Sequence, residues 1–356
     1  MHGAMITQVL DEADPVLGFA VGWVNTLAAR VEQLEVICLS HGEAGLAPNV
    51  RVTVLPAARF ARYRRVRAVL RRLKRGGALN FVLAHMCPSY AVAATVPRRI
   101  APTFLWYAHS SVTRMLLAAD RRCDRVFSCS RASYPLESGR LVVVGHGIDT
   151  ERFAPATRRL GDAPFTLCCV GRIAKSKRLD LLVRALAGYR ARRPDACFGC
   201  RIVGPVLGPG DEAYFADLVS LIDRSGLGDV VRIDPPVPHE EVVHVYRGAD
   251  VVANLTRRHS LDKAVLEAMA CGCLVLTTNE AYAEVVGEHA GLMVKPDASA
   301  DALAGAIEAL TALSVERRAG IGLELRDVVV REHGLSRMMD RIVEEMRAVA
   351  NLRGER

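Results

Sequence analysis

The chain lacks an uninterrupted apolar run long enough to cross a bilayer. Its most apolar long window, "ALNFVLAHMCPSYAVAATV", is broken by Asn80, His85 and Pro88, and it reads as strand, turn and helix. The start, "MHGAMITQVLDEADP", turns acidic early and has no apolar core segment, so no secretory leader is expected. Regular cysteine spacing is missing as well. Apart from the adjacent Cys168 and Cys169, the ten cysteines form only two close pairs, Cys197 with Cys200 and Cys271 with Cys273. A zinc site would need two further ligands at matched spacing, and none is present, so no metal is expected. The thiols read as buried structural groups of a protein in a reducing compartment. Bias toward disorder is absent too. With 51% hydrophobic and 24% charged residues, a chain of 356 is globular and long enough for two domains.

Acids are missing from one segment in particular. Within a formal net charge of +8, "RFARYRRVRAVLRRLKR", residues 59–75, holds nine Arg or Lys and no Asp or Glu. Tyr63, Val66, Leu70 and Leu73 recur there at helical spacing, giving a basic amphipathic helix. Nucleic acid is not expected as its partner, because no recognition motif or interleaved aromatic accompanies the charge. Two readings stay open: a peripheral contact with an anionic membrane surface through Arg59 to Arg75, at the inner face for a cytoplasmic protein, or a solvated flank of a cleft for anionic substrates.

What is present is alternation. Strand-like runs "MITQVL", "LEVICL", "VRVTVL", "NFVLA", "TFLWYA", "DRVFSCS" and "RLVVVG" fill the first half. "FTLCCVG", "CRIVG", "VVRID", "DVVANL", "CLVLTT" and "AGLMV" follow in the second. Helix-like periodicity lies between most of them, which is the pattern of parallel sheets covered by helices. The expected class is α/β, with two doubly wound Rossmann-like domains. "GHGIDTERFAPATRRLGDAP" reads as a linker near residues 145–164. The expected domains are 1–155 and 156–334, with a last helix in 335–356 packing back toward the first. Ligands of such folds bind at the carboxyl ends of the strands.

In the second half a strand ends at Gly171, and Arg172 and Lys177 project from the loop before a helix. Two cations beside a helix start can seat a diphosphate. Another strand ends at Gly204. Further on, Glu267 lies in the first turns of a helix, where a carboxylate can accept hydrogen bonds from a ribose diol. The backbone N–H groups of Leu261, Asp262 and Lys263, at the start of that helix, are expected to be free for sugar hydroxyls or phosphate oxygens.

The stretches "VGRIAKSKRLDLLV", "LVRALAGY" and "LDKAVLEAMACGCLVLTTNEAYAEVVGEHAGLMVKPDASADALAGAI" resemble the family 4 glycosyltransferases. "DPVLGFAVGWVNTLAARV", "LAHMCPSY", "LWYAHSS" and "VVVGHGIDTERFAP" are similar to the acceptor domain of one bacterial branch. The resemblance covers about nine tenths of the chain. It implies the GT-B architecture of two facing Rossmann-like domains, and a retaining, metal-independent hexosyltransferase. Such an enzyme moves a sugar from a nucleotide diphosphate sugar, as co-substrate and without a cofactor, to a hydroxyl of a bacterial glycan, glycolipid or natural product. By the same likeness Arg172 and Lys177 grip the diphosphate after Gly171, and Glu267 holds the ribose. Gly18 belongs to the loop that closes over the phosphates, and His109 points at the donor sugar. Pro236 and Val237 lie in the segment whose backbone reads the base. The sequence departs from the family in two places: His259 stands where the first acid of a glutamate pair is expected, and the glycine pair of the first loop is reduced to Gly18. The alternatives are a catalytically silent partner and a related coupling enzyme acting on cyclitols.

Overall fold

Strands covered by helices on both faces have no solvent side, so their sequences read as continuous apolar runs. Phe81–His85 is buried at all five positions and His2–Ile6 at four. A computed structural model describes residues 1–14, 16–77, 79–156, 164–257 and 260–354, and it separates the chain into two units. The first comprises Met1–Asp149 and Glu332–Arg356, the second Thr150–Arg331.

The first unit contains, in chain order, β1 (His2–Ile6), β2 (Val9–Leu10), β3 (Gln33–Cys38), β4 (Ser40–His41), β5 (Val50–Val54), β6 (Phe81–His85), β7 (Thr103–Trp106), β8 (Arg125–Ser128) and β9 (Leu141–Val143). Seven of them form one sheet in the order β5-β3-β1-β6-β7-β8-β9, and β2 pairs with β4 beside it. Every pairing is parallel. The first strand is therefore split where a single run over "MITQVL" is expected. The main sheet takes His2–Ile6, the Thr7 N–H reaches the Ile37 carbonyl, and Val9–Leu10 leaves for its own partner.

The second unit contains β10 (Phe165–Val170), β11 (Phe198–Val203), β12 (Val231–Asp234), β13 (Val251–Asn254) and β14 (Leu274–Thr277), all parallel, in the order β12-β11-β10-β13-β14. The expected strand "AGLMV" does not extend this sheet. Ala290–Leu292 is a single 3-10 turn, and Met293 makes only an isolated bridge to Thr277.

Neither the expected linker nor the last helix stands apart from the two units. Residues 145–149 belong to the first unit, where His146 and Ile148 are buried, and Phe153 is buried in the second. Residues 157–163 of the expected linker lie outside the described residues. The helix Leu335–Gly354 is part of the first unit. Its entry is fixed by the Ile148 N–H to the His333 carbonyl (2.8 Å) and the Leu335 N–H to the Ile148 carbonyl (2.7 Å). Arg30 Nε then donates to Asp340 Oδ1 at 2.7 Å, and Arg125 Nε to Glu345 Oε2 at 3.0 Å. Among the described residues no helix is long and apolar enough to cross a membrane.

Candidate functional site

The turn after β10 is the chemically densest part of the second unit. Gly171 takes φ +133°, a conformation L side chains rarely adopt. Gly204, after β11, lies so close that a Cβ on it would come 2.1 Å from the Gly171 carbonyl oxygen. The Gly171 N–H donates to the Val203 carbonyl (3.0 Å) and the Ile173 N–H to the Pro205 carbonyl (2.9 Å), so the two strand ends turn together. Arg172 is exposed, Lys175–Lys177 form one 3-10 turn, and the helix Leu179–Arg192 follows.

Gly171, Arg172 and Lys177 line a small crevice with Ala253, Asn254 and Leu255, the end of β13 and the residue after it. β10 and β13 are the neighbours between which the strand order reverses. Open α/β sheets bind ligands in that crevice, at the carboxyl ends of the strands.

Lys177 is positioned by a polar chain. Its Nζ donates to Asp262 Oδ2 at 2.8 Å, and Asn254 Nδ2 donates to the same oxygen at 2.8 Å. Thr256 Oγ1 in turn donates to Asn254 Oδ1 at 2.9 Å. The wholly buried Tyr282 accepts from the Asp262 N–H at 2.7 Å and donates to the Asp262 carbonyl at 2.9 Å. Arg172 Nε stands 3.5 Å from Asp211 Oδ2. Arg178 and Arg257 both donate to the Pro296 carbonyl, each at 2.9 Å. Burial, and then Arg257, lower the Arg178 guanidinium below its ordinary value. The positive character of this end of the sheet also shows on a neighbour: burial pushes the Cys169 thiol up to about 12, and Lys177 pulls against that rise.

Glu267 is the fifth residue of the helix Lys263–Ala270 and only 4% exposed. A buried carboxylate needs donors, and it has them: His239 Nε2 lies 2.8 Å from Oε1, and the Tyr246 hydroxyl donates to Oε2 at 3.4 Å. The His239 ring packs against Phe153 at 5.5 Å. His239 follows the half-buried Val237 by two residues, so the loop after β12 is tied to the Glu267 helix.

The structure thus brings Gly171, Arg172, Lys177 and Asp262 together, with Glu267 a little over one turn further along the Asp262 helix. One expectation fails: the Asp262 N–H is not free, since Tyr282 takes it, and Lys263 is already the first helical residue. Leu261 is buried beside them. His259 lies outside the described residues. Gly18 and His109 belong to the first unit. Gly18 begins the helix Phe19–Ala28, where a Cβ would stand 2.7 Å from the Glu12 carbonyl oxygen, so close packing holds a glycine there. His109 is half-buried, and its Nδ1 accepts the Ser111 N–H at 3.0 Å, which leaves Nε2 to carry the proton of the neutral ring. His85 is buried, bonded through Nδ1 to Thr7 Oγ1 at 3.1 Å and packed among Phe19, Trp23 and Trp106. Among the described residues no three His, Cys, Asp or Glu side chains are grouped so as to hold a metal ion.

Sequence reasoning missed His239, Tyr246, Asn254 and Tyr282. Each lies eight or more residues from the Asp262 or Glu267 it contacts, and only the fold joins them.

Comparison with known proteins bears on the same unit. Residues 151–322 match the family described as "Glycosyl transferases group 1". A D-inositol 3-phosphate glycosyltransferase of Kineococcus radiotolerans is 36% identical over 200 residues, covering 50% of this chain and 45% of that protein. One from Actinosynnema mirum is 38% identical over 155 residues, covering 40% and 36%. The chain spans less than half the length of these curated relatives. Among solved structures, sucrose-phosphate synthase from Thermosynechococcus elongatus superposes with a TM-score of 0.77 at 17% identity, over 98% of this chain and 99% of that one. A glycosyltransferase from Rickettsia africae gives 0.74 at 16%, covering 98% of both. HepE of Anabaena, solved in complex with UDP, gives 0.75 at 17%, covering 97% and 100%. At such identity the likeness concerns the fold, which is the two-unit GT-B architecture.

Proposed function

We propose that the chain belongs to the family 4 type of glycosyltransferases and that it moves a sugar from a nucleotide diphosphate sugar to a hydroxyl acceptor. The observation that carries this is the crevice between β10 and β13. There a glycine turn, Arg172 and an ordered Lys177 stand where such sheets bind phosphate-bearing ligands.

In the mechanism we propose, Lys177 and Arg172 hold the diphosphate and stabilise the negative charge that grows on it as the glycosidic bond breaks. The acceptor oxygen bonds to the anomeric carbon on the face from which the diphosphate departs, and its proton passes to the departing phosphate oxygen. Configuration is retained and no residue becomes attached to the sugar. Fixed side-chain cations supply the charge, so no metal ion is required. Glu267, oriented by His239 and Tyr246, accepts from the ribose hydroxyls. The backbone around Pro236 and Val237 reads the base. Leu261, Lys263 and His259 are assigned to the donor. Gly18 and His109 keep the roles the family likeness gives them, at the phosphates and the donor sugar.

UDP-glucose is the first donor to try, since HepE has also been solved with it. D-inositol 3-phosphate is the first acceptor, from the names of the relatives. The test offers the purified protein a panel of nucleotide sugars with that acceptor and follows thermal shift, nucleotide release and the anomeric configuration of the product. Binding and release with retention are expected for at least one donor. If no nucleotide sugar binds or is cleaved, the reading falls and the silent partner takes its place.

A further inference from the structure

The helix Arg59–Arg75 of the first unit plays no part in the donor chemistry, yet it is the most charged element of the chain. Its inner side is ordinary: Val66, Val69 and Leu70 are buried, and Tyr63 and Leu73 pack against the same core. The outer side is not. At 100° per residue, Phe60, Arg71, Arg64, Arg75, Ala68, Ala61, Arg72 and Arg65 fall within an arc of roughly 140°. All of these except the half-buried Ala61 are exposed, and Phe60 stands 75% exposed at one end. Ala61 and Ala68 line an open groove together with Pro56, Phe60, Arg64, Arg67 and Arg71.

Several cations of this helix are committed elsewhere. Arg67 donates to the Ala93 and Val96 carbonyls, and Arg72 pairs with Glu35 at 3.3 Å. Arg64, Arg65 and Arg71 form no side-chain ion pair or hydrogen bond among the described residues, and the helix carries no acid to neutralise them. A face built only for solubility mixes both signs and does not hold an aromatic ring in water. A surface for nucleic acid would spread aromatic rings among the cations for bases to stack on; here the exposed ring of the helix, Phe60, stands at the end of the arc.

We propose that this face docks on an anionic lipid surface. The guanidinium groups of Arg64, Arg65 and Arg71 take lipid phosphates, for which their planar donor sets are suited, and Phe60 enters the headgroup layer. The inference does not depend on the donor assignment, and its readout is binding alone.

The test is co-sedimentation of the purified protein with phosphatidylcholine vesicles, with and without phosphatidylglycerol, across a salt series. Binding to the anionic vesicles only, weakening as salt rises, is expected. Replacing Arg64, Arg65 and Arg71 together with Gln removes three cations from the surface and lowers partitioning by roughly 10²-fold. Phe60→Ser lowers it several-fold with the salt dependence retained. All four side chains are solvent-facing, and far-UV circular dichroism checks that the variants fold. Absence of binding to anionic vesicles at low salt, or unchanged binding by the triple variant, overturns the proposal. So does tighter binding to a short DNA duplex than to the vesicles, which would make this a nucleic-acid surface.

Discussion

Lys177→Met separates a structural role for the lysine from a chemical one. The side chain is 24% exposed and its partner Asp262 35% exposed, at 2.8 Å. An ion pair this open to water contributes about 1 kcal/mol or less to stability, and Asp262 keeps the Asn254 amide when the lysine is gone. In a unit the size of Thr150–Arg331, a loss of that order lowers Tm by roughly 2–4 °C. The chemical role is larger. A cation about 4 Å from a developing phosphate charge, at the effective dielectric of a protein surface, is worth about 4 kcal/mol. Removing one such charge-stabilising group costs roughly 10²- to 10³-fold in turnover. Nucleotide release from UDP-glucose, or from whichever donor the panel identifies, measures the rate, and differential scanning fluorimetry measures the stability. The two losses should be far apart, and Lys177→Arg should recover part of the rate because it keeps the charge. Turnover within twofold of wild type in a folded Lys177→Met protein would refute the diphosphate assignment. A Tm loss well beyond ten degrees would show instead that the lysine serves the fold.

His239→Ala leaves the buried Glu267 carboxylate without its nearest donor, costing about 1–3 kcal/mol of stability. It should also weaken discrimination between UDP and 2′-deoxy-UDP, measured by calorimetry; equal discrimination in the variant would remove His239 from ribose recognition. Gly204→Ala drives a Cβ against the Gly171 carbonyl and should cost about 2 kcal/mol or more in denaturant unfolding; a neutral result would contradict the close approach of the two turns. Cys87, Cys169 and Cys271 are pushed up from 9.0 to about 12 by burial. The unfolded chain therefore releases those protons from about pH 9 upward while the folded chain keeps them. Their contribution is complete below pH 9 and lost as pH rises toward 12, with a slope of about 1.4 kcal/mol per pH unit for each thiol. Urea midpoints should be flat to pH 8 and fall above it. Activity should persist in excess chelator, and restoration by magnesium after complete loss would overturn metal independence.

Much of this architecture is legible in the chain because parallel strands buried on both faces leave an unmistakable mark. "NFVLA" and "CLVLTT" could hardly be anything else, and β6 and β14 lie there. Arg172 and Lys177 were visible for the same local reason: a strand ends in glycine and cations follow. Their surroundings were not visible. Asp262 is 85 residues from Lys177, and nothing near either indicates the pairing. The Asp262 N–H looked available because helix starts expose such groups, but Tyr282, twenty residues downstream, occupies it. His239 had no local signal at all, since its role comes from the return of a loop onto Glu267. The strand expected at "AGLMV" failed because its composition suits a strand while its surroundings supply only one bridge to Thr277.

The division of the first unit between the two ends of the chain sets the order of its assembly during translation. Residues 1–149 leave the ribosome without the helix Leu335–Gly354, whose Asp340 and Ser336 receive Arg30. Roughly 180 residues of the second unit must be synthesised first, which takes about 10–40 s at cellular rates. Throughout that interval the side of the helix Phe19–Ala28 that Leu335 and Met338 approach, at Gly22 and Trp23, stands uncovered in the nascent protein. The second unit is continuous in sequence and can finish folding before the first. A nascent chain that ends at Arg331, followed by an unstructured spacer long enough to bring Arg331 out of the ribosome, should therefore carry a protease-resistant second unit and a first unit that is still cleavable. That face is where a chaperone would be expected to wait.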